Sequence, residues 1–340
     1  LPAALPVSAG LGGGAVTELH PAAAVVRVAP FFATAIDPAI ARHGAELLRA
    51  ESGRYSAPAS TLARLVTVVV LGHGGAVLHE SGVLGDTVPP GTATWPAPTS
   101  VARRIEAAAM LGFGPGWAAD PHGLTGVLPR LVAFAHLRRH EPDLELLLPD
   151  ALATAPWLRE MLALLGIAAD AVAWLADAPV ACARLAVTSR FPAEEVAPFA
   201  AGAARALAAL VPLARAPDQA GDQARLVYLR PDAAHMPANA AAVEALLTAR
   251  GFSVLDAGRT GLAARIAALR GAAAVVAPQA PVLAELAFCQ PGAAVQELVG
   301  PADPRKLFWS LASCAGLRYG YLVGGAAQGS SYTNRPIRRL

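Results

Sequence analysis

Two side chains stand where an apolar run gives way to a loop, and they carry the groups that a hydroxylated, anionic ligand needs. Glu297 ends the run Ala293 to Leu298, and a carboxylate there could accept both hydroxyls of a ribose. Arg230 follows Leu226 to Leu229, and a guanidinium at a strand's carboxyl end could hold a phosphate through two parallel hydrogen bonds. A solvated strand-end charge and an ordinary loop arginine are the plainer alternatives. Asn239 opens the run Asn-Ala-Ala-Ala-Val-Glu, where an asparagine suits a helix N-cap and could meet a ligand as well. Gln279, in the turn after Val276, could hydrogen-bond a phosphate, base or sugar but cannot carry charge or act as a general acid. His122 could act as a base within reach of a hydroxyl if a carboxylate held its tautomer, and Asp120 lies two residues upstream.

Other motifs are weaker. Gly72-His73-Gly74-Gly75 with His79-Glu80 invites a metal reading, but no second histidine follows four residues on and no third ligand is placed, so no metal is expected. The glycines from Gly10 to Gly14 lack both a preceding strand and a Gly-Lys-Ser/Thr ending. Arg338 and Arg339 are too few charges to argue for nucleic acid or a membrane surface.

The strand-end positions depend on a ladder of elements. Apolar runs at Leu226–Leu229, Phe252–Leu255, Ala273–Val276, Ala293–Leu298 and Tyr319–Val323 alternate with helix-patterned segments that begin near Asn239, Arg259, Pro281 and Asp303. Strands separated by one helix each cannot pair as hairpins, so they predict a mostly parallel, doubly wound sheet with its ligand site beyond the carboxyl ends.

The N-terminal half is less regular. Its first 30 or so residues read as an irregular lead-in and Pro38–Ala50 as a helix. Leu65–Leu71 and Ala76–Leu78 read as strands, with a turn-rich stretch to Ser100. Two βα-like units follow: helix Leu124–Arg139 to strand Leu144–Leu148, then helix Ala155–Leu165 to a strand near Val180–Val187. Glu194–Leu213 reads as a helix and Ala216–Gln223 as a hinge.

With 340 residues, two domains are the natural expectation. A hydrophobic fraction of 55% against 15% charged describes a buried globular chain, and a net charge of +2 argues against a broad basic surface. Only Lys306 among the 27 basic residues is lysine, and the Ala-, Gly-, Pro- and Arg-rich composition suggests a GC-rich bacterial gene. Cys182, Cys289 and Cys314 lie scattered in apolar segments, which fits free buried thiols in a reducing compartment. No uncharged apolar run reaches the roughly 18–20 residues of a membrane span, so the chain reads as soluble.

The order of pieces from about Gly116 to Val323 resembles glycosyltransferase family 61, a two-Rossmann group similar to bacterial capsular-polysaccharide glycosyltransferases. His122-Gly-Leu-Thr-Gly-Val-Leu-Pro129-Arg130-Leu resembles its His-Trp-x-x-Glu-x-Leu-Pro-Arg-Leu block. Val227-Tyr-Leu-Arg230 followed by Asn239 resembles its Tyr-x-Ser-Arg … Asn-Glu segment, and Arg250-Gly251-Phe252 its Leu-Gly-Phe turn. Pro291-Gly292-Ala-Ala-Val-Gln-Glu297-Leu resembles Pro-Gly-x-x-Val-x-Glu-Leu. The departures are Gly123 for Trp, Gly126 for an acid, His235-Met236 for an arginine pair, Ala240 for Glu, Gln279 for His and Glu285 for Asn.

The resemblance implies two Rossmann-like doubly wound domains facing a cleft, the GT-B plan. Residues 1–190 would form the acceptor side, 191–224 a helix and hinge, 225–325 the nucleotide-sugar half and 326–340 a tail. It implies metal-independent, inverting sugar transfer from a nucleotide sugar to a glycan or other hydroxyl acceptor, with no cofactor. His122 would be catalytic, and Arg230, Asn239, Gln279, Glu285 and Glu297 would bind the donor. The setting it implies is cytoplasmic assembly of a bacterial surface or capsular polysaccharide, with room for peripheral association at the inner face of a membrane, and no nucleic acid. The lost polar positions point to the alternative of a lapsed relative that binds a nucleotide, glycan or protein without turnover, and an unrelated α/β enzyme sharing the fold is a third reading.

Overall fold

The computed structural model describes residues 16–27, 31–32, 54–80, 82–84, 87–88, 100–114, 123–189, 196–212, 225–299 and 306–324. In chain order the first strands are β1 (Val16–His20), β2 (Ala23–Val26), β3 (Phe31–Phe32), β4 (Arg54–Ala57), β5 (Ser60–Leu71), β6 (Ala76–His79), β7 (Gly82–Val83) and β8 (Arg103–Leu111). Then come α1 (Leu128–Arg138), β9 (Glu145–Pro149), α2 (Pro156–Leu164), β10 (Val172–Leu175), β11 (Val180–Thr188) and α3 (Ala197–Ala209). The last third runs β12 (Arg225–Arg230), α4 (Ala240–Thr248), β13 (Phe252–Asp256), α5 (Leu262–Arg270), β14 (Ala272–Pro278), a 3-10 helix Pro281–Phe288, β15 (Ala294–Val299), α6 (Lys306–Cys314) and β16 (Arg318–Val323). No helix among the described residues is long and apolar enough to cross a membrane.

Two compact units result: Leu1–Ala23 with Ala57–Phe199, and Ala24–Ser56 with Ala200–Leu340. Both are mixed α and β. The expected irregular lead-in is corrected, because Val16–His20 pairs antiparallel with β5 and Ala23–Val26 pairs with β4. Pro38–Ala50 and Ala216–Gln223 lie outside the described residues.

The first unit's sheet runs β10-β9-β8-β11-β5-β6-β7, with β1 also on β5. The stretch β10-β9-β8-β11 is parallel, but β5, β6 and β7 are antiparallel, so this half is not simply doubly wound. Four residues, 176–179, join β10 to β11, far fewer than the dozen or more of a helical crossover between parallel strands. They suffice because the sheet curls. Phe113, past the carboxyl end of β8, lies against Gly75, past the carboxyl end of the oppositely running β5, and the Asp177 carbonyl lies against Gly72. A line of irregularities makes the bend: β8 bulges opposite Ala183, and Thr67 across from it in β5 has φ 52, a costly conformation for a β-branched residue. Leu65, Val68, Ile105, Leu111, Phe113, Leu147, Leu175 and Val187 fill the curl.

This curl explains the glycines that invited a metal reading. Gly72 has φ 51, and a Cβ there would lie 2.4 Å from the Asp177 carbonyl oxygen; Gly75 has φ 71, and its Cβ would lie 2.5 Å from the Phe113 ring. Gly72→Ala should therefore destabilise the first unit by about 2 kcal/mol or more, through left-handed strain plus overpacking. A fall in the urea midpoint checks this, and an unchanged midpoint would mean that the turn is not held by that contact.

The second unit has an all-parallel sheet in the order β13-β12-β14-β15-β16-β3. Numbered by strand along the last third of the chain, its first five read 2-1-3-4-5, a doubly wound order. Tyr228, Val276, Leu298 and Leu322 face Leu247 and Val243 of α4. By alternation, the opposite face carries Val227, Leu229, Val275, Ala277, Val295, Glu297, Tyr319 and Tyr321, all buried. The expected strands all form here, while the segment expected as a helix from Pro281 is 3-10.

Candidate functional site

In a 2-1-3-4-5 sheet the order reverses between the first and third strands, and side chains at their carboxyl ends flank a crevice. Here those strands are β12 and β14, which pair directly, so Arg230, Pro231 and Asp232 lie on one side and Pro278 and Gln279 on the other.

Arg230 is about three-tenths exposed, and it is engaged. Its Nη1 donates to Glu244 Oε2 at 3.1 Å and its Nη2 to Asp256 Oδ2 at 2.6 Å. The hydrogen bond to Asp256 is the main reason its pKa rises, opposed by burial and aided by the charges of Asp256 and Glu244. For Asp256, burial pushes the carboxyl up, but Arg230, the Gly258 N–H and Arg259 outweigh it and hold the group below its ordinary value. The guanidinium thus ties the ends of β12 and β13 to α4, and a phosphate would have to displace two carboxylates to claim it.

Just beyond β12, Asp232 N-caps the 3-10 turn Ala233–His235, its Oδ1 accepting from the Ala234 N–H at 3.0 Å and lying 2.7 Å from His235 Nδ1. Burial alone would raise the Asp232 carboxyl, yet the bonds from His235 and from the Ala234 and His235 backbone bring it below its ordinary value. The histidine is about one-third exposed. The pair is absent from the expected site residues, although Asp-x-x-His just after a strand is the spacing of a capping aspartate and the third residue of a turn.

Asn239 stands at the N-cap of α4 as expected, although its side chain makes no capping bond. Its φ of −104° and ψ of 26° are not the extended values that swing a cap side chain over the first free N–H groups. Its carbonyl instead accepts from Ala242 and Val243 at 3.0 and 3.1 Å.

Gln279 prolongs the β14–β15 ladder, its N–H donating to the Leu298 carbonyl at 2.9 Å. Its amide Nε2 is buried without a hydrogen-bond partner. A buried donor left unpaired costs about 1–3 kcal/mol, so this group has a reason to take an acceptor.

Glu285 and Glu297 are placed differently from a pair of ligand contacts. Glu285, 1% exposed, faces Arg265 of α5: Nε lies 3.0 and 2.9 Å from its two oxygens and Nη2 2.8 Å from Oε1. Arg265 Nη1 reaches the carbonyls of Ala257 and Thr260, so the ion pair pins the turn after β13 to the 3-10 helix. Glu297 is the fourth of six residues in β15 rather than its end, and it is fully buried. Tyr319 Oη donates to its Oε2, while Oε1 is buried without a partner. Burial pushes this carboxyl up to about 8, against the lowering effect of the Tyr319 bond.

In the first unit, His122 lies outside the described residues. Its neighbour Gly123 has φ 61, and a Cβ there would lie 2.3 Å from the Trp157 ring, so α2 supplies an indole beside the position where the resemblance leads one to expect tryptophan. Among the described residues no three His, Cys, Asp or Glu side chains gather as a metal-binding group. Cys182, Cys289 and Cys314 are free, and burial pushes their thiols up to about 11, 12 and 11. Compared with family models and with characterised proteins, the chain matches none.

Proposed function

We propose that the protein is an inverting, nucleotide-sugar-dependent glycosyltransferase with a GT-B arrangement, acting in the cytoplasm, at or near the inner face of the membrane, in assembly of a bacterial surface polysaccharide. One observation carries the reading: the unpaired, buried amide of Gln279 at the carboxyl end of β14, beside β12 in a 2-1-3-4-5 sheet. The resemblance of the segments from His122 to Glu297 supplies the reaction class. On this reading the donor's diphosphate lies on the β14 side, where Gln279 donates to it. The acceptor hydroxyl attacks the anomeric carbon from the opposite face, and the diphosphate leaves.

The test is titration calorimetry of the full chain with UDP, GDP and dTDP, followed by turnover assays with their hexose derivatives. Saturable binding is expected with at least one nucleotide, and Gln279→Ala should weaken it about tenfold, the effect of one lost hydrogen bond of roughly 1.4 kcal/mol. If no nucleotide binds, the reading fails.

A second reading rests on the engagement of the other polar residues. Arg230 and Glu285 are held in internal ion pairs and Glu297 is sealed in the sheet. That pattern favours a lapsed relative that binds a nucleotide or glycan as part of an assembly. Binding without turnover across the same donors would select it.

A further inference from the structure

We propose that Asp232 and His235 form an acid–base pair in which His235 Nε2 takes the proton of the attacking hydroxyl. The proposal rests on the glycosyltransferase reading and deepens it by naming as base a histidine that stands where the resemblance has one of an arginine pair.

The geometry favours orientation for chemistry. Asp232 Oδ1 is fixed by the Ala234 N–H at 3.0 Å and meets His235 Nδ1 at 2.7 Å. A carboxylate accepts but cannot donate, so it selects the tautomer with the proton on Nδ1 and leaves the lone pair on Nε2. The ring is partly exposed, and the pair stands immediately past the carboxyl end of β12, at the point where the strand order reverses.

Charge separates a base from a phosphate contact. Arg230, two residues before Asp232, has one amino end on Glu244 and the other on Asp256. The β12 end therefore sets one arginine against three carboxylates, Asp232, Glu244 and Asp256. Arg259, in the turn after β13, also acts on Asp256. Such a surrounding repels a phosphate dianion more than it repels a neutral hydroxyl. At the neighbouring end of β14 the Gln279 amide Nε2 is buried without a partner, a donor suited to an anionic oxygen. The hydroxyl thus belongs beside His235 and the diphosphate beside Gln279.

In the step itself, the acceptor O–H bond breaks and its proton passes to Nε2. The acceptor oxygen bonds the anomeric carbon, and the bond from that carbon to the diphosphate oxygen breaks, its electron pair leaving with the diphosphate. Asp232 stays ionised and balances the imidazolium that forms.

The experiment uses the full chain with whichever UDP-, GDP- or dTDP-hexose it turns over, measuring kcat and KM from pH 5 to 9 for wild type, His235→Gln, His235→Ala and Asp232→Asn. Asp232→Asn retains a capping side chain, so the turn is kept while the carboxylate is lost. His235→Gln should lower kcat by about 10²- to 10⁴-fold, with donor KM little changed, and should abolish the acidic limb of the kcat–pH profile. Asp232→Asn should displace that limb, and added imidazole should restore part of the activity of His235→Ala. A His235→Gln protein with wild-type kcat and an unaltered acidic limb would overturn the proposal while leaving the glycosyltransferase reading intact. Absence of turnover by wild type with every donor would overturn both.

Discussion

Arg265→Ala should destabilise the second unit by about 3–5 kcal/mol, because it strands the Glu285 carboxylate in a site sealed from water. The side chains are 6% and 1% exposed, and both carboxylate oxygens meet the guanidinium within 3.0 Å. Their Coulomb attraction offsets the desolvation of two ions only while both are present. Replacing both together, Arg265→Met with Glu285→Leu, should lie much closer to wild type, since apolar side chains of similar volume remove both desolvation costs. Urea unfolding of the two variants measures the difference, and a loss below about 1 kcal/mol for Arg265→Ala would show that water reaches the carboxylate. The double variant also decides what Glu285 is for. If it binds nucleotide as wild type does, Glu285 is a strut that holds the 3-10 helix, and if binding disappears with the fold intact, Glu285 reaches ligand.

Glu297→Gln should make the protein more stable than wild type in mild alkali and flatten a slope in its stability against pH. The Glu297 carboxyl is pushed up from an ordinary 4.5 to about 8 by burial, so between those values the folded chain holds a proton that the unfolded chain has released. Its contribution is fully present below pH 4.5, declines as pH rises, and is gone above about 8. The slope approaches about 1.4 kcal/mol per pH unit, on the order of 5 kcal/mol across the window. Glutamine has the same shape without the charge and can still accept from Tyr319, so its stability should not share that slope. The other described carboxylates with displaced values, Glu141, Asp232 and Asp256, are all shifted downward, and their changes fall below this window. Equilibrium unfolding at pH 5, 7 and 9 tests the point. Parallel curves for wild type and Glu297→Gln would mean that the carboxylate is ionised and solvated, as a ribose-gripping residue would be.

Both expectations concern side chains that the resemblance assigns to the donor, Glu285 and Glu297, and both are buried. The alternation in the last third is a local pattern of apolar run, helix period and glycine turn, and β12 to β16 formed where it said. Arg230 and Gln279 therefore stand at strand ends as expected, and the pairing of β12 with β14 makes those ends neighbours. Arg103–Leu111 is a strand for which no expectation was given, and Arg-Arg-Ile-Glu-Ala-Ala-Ala-Met-Leu has the composition of a helix. It is extended because β9 and β11 pair with it on either side, and that pairing outweighs alanine's helix propensity.

What the sequence determined by itself was the parallel ladder and the side chains that end β12 and β14, since both follow from short-range periodicity, whereas Glu297 lies inside β15 rather than at its end. Tertiary structure alone decided which of those side chains are available. Glu285 meets an arginine 20 residues away, Glu297 lies under a tyrosine 22 residues away, and Arg230 is held by carboxylates 14 and 26 residues away. Charge pairing and burial depend on distances across the sheet, and no local pattern records them. Asp232 and His235, three residues apart, are the reverse case. Their pairing is local, but its place at the reversal of strand order became visible only once the sheet was assembled.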